Sequence, residues 1–238
     1  VIYYTKGEDR MKLIEKYRLR LETEKNIPVL EKMSIYYTLG MANSNRVDPK
    51  NQDAIYKEVC QHFNNLIKIS DNIPLNYSFL FRLNAFNILS LMEAAPEDRA
   101  KASLRYLNMQ KEYAETKEMK KRPYTSKRHL LNAYSTLATS AETVGKDMAT
   151  YYFNIFINLN KKYPEDAAFS AEYDRYFTSL NYYKSIQDYQ KAIDYNDSVI
   201  HYFRDGDFPF DLSENIVLSL KDKIDCLDSL HRYKEAYE

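Results

Sequence analysis

Apolar side chains recur at helical spacing along most of this chain. The clearest case is residues 173–202, YDRYFTSLNYYKSIQDYQKAIDYNDSVIHY, where Tyr176, Leu180 and Tyr183 form one stripe. After a short turn at Gln187-Asp188, Tyr189, Ala192, Ile193 and Val199 begin a second stripe, so the stretch predicts two helices packed as a hairpin. The tail restates it. Leu220, Ile224 and Leu227 form a stripe, and His231-Arg232-Tyr233-Lys234-Glu235-Ala236-Tyr237 repeats the turn and second-helix start, with Ala236 lying 44 positions after Ala192 (236 − 192).

The same pattern can be followed back to the start. Residues 7–24 carry Met11, Ile14, Tyr17 and Leu21 among dense charges, an amphipathic leading helix. A hairpin over 29–70 follows, with Leu30, Met33, Tyr36, Tyr37 and Leu39-Gly40 in its first helix and Ile55, Val59, Phe63, Leu66 and Ile67 facing inward from its second. Residues 75–92 are apolar nearly all round, which predicts a helix flanked on most sides and pairs it with a return on Ala100, Leu104, Leu107 and Tyr113 in a hairpin over 75–117. The hairpin over 126–162 runs on Leu130, Tyr134, Leu137, Ala141 and Val144 and turns at Gly145, a candidate left-handed C-cap. It returns on Ala149, Tyr152, Phe153, Phe156 and Leu159, and hairpins over 165–204 and 213–238 complete the series, the last incomplete.

Punctuation supports this division. Ala95-Pro96-Glu97-Asp98 and Tyr163-Pro164-Glu165-Asp166 place acids just after proline, which suits the start of a helix. Asp211-Leu212-Ser213-Glu214 has the form of a capping box. Only 4 glycines occur in 238 residues, well under the ordinary share of about 7%. Turn-rich β architectures consume glycine, so the expectation is an all-α fold built as one helical-repeat array over 1–238.

The Leu39-Gly40 pair, the crossing alanine at Ala192 and the Tyr189-Gln190-Lys191-Ala192 turn sequence resemble a tetratricopeptide repeat. Leu180 stands where that family commonly has glycine in the first helix, and the 44-residue interval exceeds the usual repeat length. The resemblance implies a right-handed superhelix, an α-solenoid of antiparallel hairpins, whose first helices line a concave face that holds a peptide or protein. Carried over by motif, Asp174, Phe177, Asn181 and Lys184 face inward in one hairpin and Lys221, Asp225 and Asp228 in the next. Phe177 occupies the place of the lysine by which some members clamp a C-terminal carboxylate, so that ligand is not implied.

Charge and chemistry narrow the picture further. Lys plus Arg equals Asp plus Glu at 34 each, so no global field draws nucleic acid. A local exception is Lys117, Lys120, Lys121, Arg122, Lys127 and Arg128, a basic junction that is either a solvated loop or a docking patch for an anionic partner. The histidines His62, His129, His201 and His231 show no metal-ligand spacing, and Asp205-Gly206-Asp207 lacks the spacing of a calcium loop. Cys60 and Cys226 lie in different hairpins and are expected to pack rather than pair. With 23 Tyr, 11 Phe and no Trp, most tyrosines are expected in the core and a minority along a groove.

The chain opens Val1-Ile2-Tyr3-Tyr4 and stops at Glu238 inside a helix, so the expectation is a fragment of a longer protein. Its ending resembles the helical-repeat sensor regions that precede a membrane helix and kinase in bacterial histidine kinases, or the helix-turn-helix of repeat-bearing regulators. That resemblance implies a non-catalytic input region for signal transduction, without cofactor or metal, periplasmic in a membrane sensor and otherwise cytoplasmic. A free-standing adaptor, a glycan-binding repeat protein using its tyrosines and an enzyme remain as alternatives, and the oligomeric state stays open. No run of about 18 apolar residues predicts a membrane span.

Overall fold

The computed structural model describes residues 8–44, 51–114, 127–206 and 213–237. Every regular element among them is helical, with no strand. The chain divides into two compact units, residues 1–124 and 125–238.

Unit 1 contains α1 (Glu8–Thr23), α2 (Val29–Ser44), α3 (Gln52–Ser70), α4 (Leu75–Met92) and α5 (Pro96–Ala114). Helices next to each other in sequence pack on each other, and α2 also touches α4. The α3 stripe behaves as its spacing requires, with Ile55, Val59, Phe63 and Leu66 buried. Opposite Phe63 lies Gly40, where an added Cβ would stand 2.8 Å from the ring. Only a residue without a side chain lets α2 and α3 approach this closely. Tyr37 bridges the first helices, its ring 5.3 Å from Phe81 and its oxygen accepting from Asn84 Nδ2 at 3.2 Å. In α4 the all-round apolar pattern is only partly buried: Phe79, Leu83, Phe86 and Leu89 are inside, but Tyr77, Leu80 and Leu91 form an exposed edge. The leading helix docks through Ile14 onto Ile35, Leu39 and Ala42, and Arg18 pairs with Glu58 of α3.

Pro96 starts α5 with Glu97 and Asp98 in its first turn, as proline in the first helical position should. Asp211 and Leu212, which open the capping-box sequence, lie outside the described residues.

Unit 2 contains α6 (Arg128–Ala138), the short α7 (Ala141–Val144), α8 (Lys146–Lys162), a 3-10 turn (Pro164–Asp166), α9 (Ala171–Ser185), α10 (Tyr189–Asp205), α11 (Ser213–Ser229) and α12 (Tyr233–Tyr237). Three boundaries differ from the sequence pattern. The stripe from Leu130 to Val144 is not one helix, because it breaks at Thr139-Ser140, where Thr139 Oγ1 donates to Ser135 O and Ser140 Oγ to Thr136 O. Side-chain hydroxyls that bond back to helix carbonyls compete with the helix ladder. Gly145, at φ 84 and ψ 150, is not a left-handed C-cap but an extended pivot between α7 and α8 in a region that only glycine adopts readily. Pro164 starts only a 3-10 turn, and α9 begins later, at Ala171, with Ser170 Oγ accepting from Tyr173 N at 3.0 Å.

The two restated turns have the same geometry. Gln187 and His231 hold φ 65 and φ 58. In one turn Gln187 N donates to Lys184 O and Asp188 N to Tyr183 O; in the other His231 N donates to Asp228 O and Arg232 N to Leu227 O. Both are Schellman motifs with a side chain where glycine is usual. Behind them Leu180, Ala192, Ile193, Cys226 and Leu227 form one apolar cluster. Cys60 and Cys226 are each buried and free, and burial pushes the Cys60 thiol up to about 12, so both are packing residues. No described helix is long and apolar enough to cross a membrane.

Candidate binding surface

The residues singled out on α9 and α11 fall into two kinds. Asp174 is half-buried and turned back on the chain: its carboxylate accepts from Ala168 N at 2.6 Å and from Phe169 N at 3.4 Å, tying the preceding loop to the helix. Burial raises its pKa, while those amides and the Arg128 charge oppose the rise. Lys184 donates to Asp222 Oδ1 of α11 at 2.5 Å, and Asn181 Nδ2 donates to Phe177 O at 2.9 Å. Lys221, Asp225 and Asp228 are exposed on α11. Phe177 is also exposed, at 44%.

Phe177 does not stand alone. Its ring stacks on Tyr173 at 5.6 Å, and Tyr173 in turn meets Phe169 edge-on at 5.3 Å. Phe169, Tyr173 and Phe177 therefore make a continuous aromatic strip, with both phenylalanines about half exposed. The strip is held from behind by α10: Tyr173 lies 5.2 Å from Phe203, and Tyr202 Oη donates to Ser170 Oγ at 2.9 Å. Phe169 precedes α9, so the helical stripe does not pick it out; only its spacing of four and eight from Tyr173 and Phe177 marks it in the sequence.

Two residues of the basic junction reach the loop ahead of this strip. Lys117, Lys120, Lys121 and Arg122 lie outside the described residues, but Lys127 and Arg128 are placed. Arg128 donates to Ala168 O at 3.3 Å, and Lys127 N donates to Asp166 Oδ2 at 3.1 Å. Arg128 is thus tied to the backbone of the loop that carries Phe169.

No family model matches this chain, and no curated protein matches it. The surface must be read from its own chemistry.

Two other concavities compare with it. A cleft of about 500 Å³ between α9 and α10 includes Glu172, Asp197 and Asp205, each already engaged: by Tyr176 Oη at 2.8 Å, by Lys223 Nζ at 2.6 Å and by His201 Nδ1 at 2.8 Å. In unit 1 a groove of about 910 Å³ runs between the outer face of α3, with Asp53, Tyr56 and Lys57, and the end of α4 at Leu91 and Glu93. Among the described residues no group of three or more His, Cys, Asp or Glu is placed to hold a metal ion.

Proposed function

We propose that this chain is a non-catalytic, tetratricopeptide-like binding module that holds a peptide or protein segment on unit 2, and that it serves as the input region of a signalling protein. The reading rests on one observation: Phe169 and Phe177 are exposed at 48% and 44% while the tyrosine between them is anchored by α10. An aromatic surface held rigid from behind offers large contact area at small entropic cost, the property of binding hot spots. Arg128 at its edge suits a segment carrying both an apolar and an acidic side chain.

The test is to select a displayed random-peptide library on the purified chain and measure the enriched peptide against the double variant Phe169→Ser, Phe177→Ser. Affinity should fall at least tenfold. The melting curve should shift only modestly, since each ring gives up one aromatic contact with Tyr173 worth about 0.5–1.5 kcal/mol, and an unchanged helical signal reports that the variant is folded. Equal affinity in a folded variant would sink the proposal. Lys184 is a poorer target because it also holds Asp222.

A further inference from the structure

Glu58 and His62 stand one turn apart on α3 and share a face, and Arg18 of α1 comes down on that face. A single oxygen serves both neighbours: Glu58 Oε1 accepts from Arg18 Nη2 and lies 3.3 Å from His62 Nε2. Tyr36 of α2 is also close, its ring centroid 6.1 Å from that of the imidazole. Glu15 of α1 lies 3.7 Å from Arg18 and is mostly in water. The cluster thus joins three helices, and His62, with 12% of its side chain exposed, is more shielded than Glu58 or Arg18.

This site holds the imidazole neutral. A carboxylate only accepts, so Nε2 carries the ring proton, and the other nitrogen, Nδ1, is buried with no partner. A second proton would place an N–H at Nδ1 with nothing to receive it. It would also bring a second cation to the oxygen that Arg18 uses. Burial accordingly pushes the imidazole below its ordinary pKa; Glu58 opposes the drop and the Arg18 charge adds to it. Burial works to raise the pKa of Glu58, but Arg18 and then His62 hold it below the usual carboxylate range, so it stays ionised in mild acid.

Other ties of α1 run to α2. Ile14 packs on Ile35, Leu39 and Ala42, and Arg20 Nη1 lies 2.8 Å from Glu31 Oε1. Neither tie contains an imidazole. We propose that Arg18, Glu58 and His62 form a pH-sensitive latch on α1: in mild acid a proton on His62 loosens the Arg18–Glu58 pair, and α1 lifts away to uncover Ile35, Leu39 and Ala42. With α1 lifted, Arg18 is gone and water reaches the imidazole, which then binds its proton near the ordinary pKa of about 6.5. The docked pKa is the lower of the two. Docking is therefore at full strength above the ordinary value, weakens as the pH falls through the docked one, and weakens no further below it. Between the two values the opening constant rises by up to about tenfold per pH unit. The latch lies in unit 1 and is independent of the aromatic strip.

The test is amide hydrogen exchange in α1 of the full 238-residue chain, corrected for intrinsic rates, from about pH 7.5 to about pH 5. Protection of the Ile14, Tyr17 and Leu21 amides should fall at least about threefold across this range, while that of Ala100 and Leu107 in α5 holds and reports that each variant is folded. His62→Gln keeps a neutral side chain at every pH, and in it α1 protection should be flat. Arg18→Met leaves the imidazole in place and should both lower α1 protection at neutral pH and shrink its pH dependence. Flat protection in the unaltered chain, an equal fall in His62→Gln, or an equal fall in α5 overturns the proposal. So does an undiminished pH dependence in Arg18→Met, since the proton would then act without the pair.

Discussion

In unit 1 the second helix of the first hairpin meets the first at Gly40, with the Phe63 ring filling the space where a side chain would stand. In unit 2 the equivalent crossing uses Ala192, and the neighbouring contacts carry hydroxyls: Ser135 with Thr178 at 2.9 Å, Thr150 with Tyr182 at 2.8 Å, Tyr202 with Ser170 at 2.9 Å. Stacking joins these polar tips, since Phe153 lies on Tyr182 at 4.0 Å with the planes 9° apart. Close approach can therefore be reached by removing a side chain, or by using flat rings whose polar ends bond to one another. The first solution leaves no slack. The second tolerates polar groups in the interior, among them Asn196, whose amide is buried without a partner.

The sharpest way to break the comparison is Gly40→Val. Phe63 is fully buried and cannot retreat, so overpacking should cost about 3 kcal/mol, read as a shift in the urea midpoint at constant slope. A smaller second exchange, Phe63→Leu in the Gly40→Val background, should return part of that loss. A neutral Gly40→Val would mean the two helices are not in the contact described.

The opposite sign is expected in unit 2. Asn196 is fully buried in α10, and neither atom of its amide has a partner. A buried polar group without a hydrogen bond costs roughly 1–3 kcal/mol, so Asn196→Leu, of similar volume, should stabilise the chain by about 1–2 kcal/mol. Destabilisation would show instead that the amide is satisfied by ordered water.

The smallest effect concerns the turns. Gln187 holds a left-handed conformation that costs a residue with a side chain about 1 kcal/mol relative to glycine. Gln187→Gly should therefore raise stability by about 0.5 kcal/mol, after the entropy that glycine adds to the unfolded chain is deducted. His231→Gly should gain less, because His231 Nδ1 lies 2.7 Å from Tyr233 Oη and that contact would be lost. Equal gains at both positions would show that contact to be energetically silent.

Helices and their pairing were legible in the sequence because periodicity and turn chemistry are local. Ile55, Val59, Phe63 and Leu66 are spaced to share a face whatever surrounds them, and Pro96 with its following acids can only begin a helix well. Where local rules compete, reading failed: the hydroxyls of Thr139 and Ser140 ended a helix that the apolar stripe alone would have continued to Val144. The surface was less legible still. Among the candidates, Phe177 joins the aromatic strip through Tyr173, but Asp174 and Lys184 are spent on chain amides and on Asp222, and Phe169 carries no helical signal of its own because it precedes α9.

A stripe fixes which residues share a face, not which faces find a neighbour. Tyr182 and Tyr183 are adjacent in a helix packed on two sides, and the neighbouring hairpin makes Tyr182, outside the stripe, the more deeply buried of the two. Val217, Leu220 and Ile224 keep the spacing of Tyr173, Tyr176 and Leu180, yet they stay exposed. The sequence alone determined that both sets form helical faces, since spacing is a property of one helix. Tertiary structure decided which face is covered, because burial requires a second element to arrive, and that depends on the whole arrangement of its neighbours.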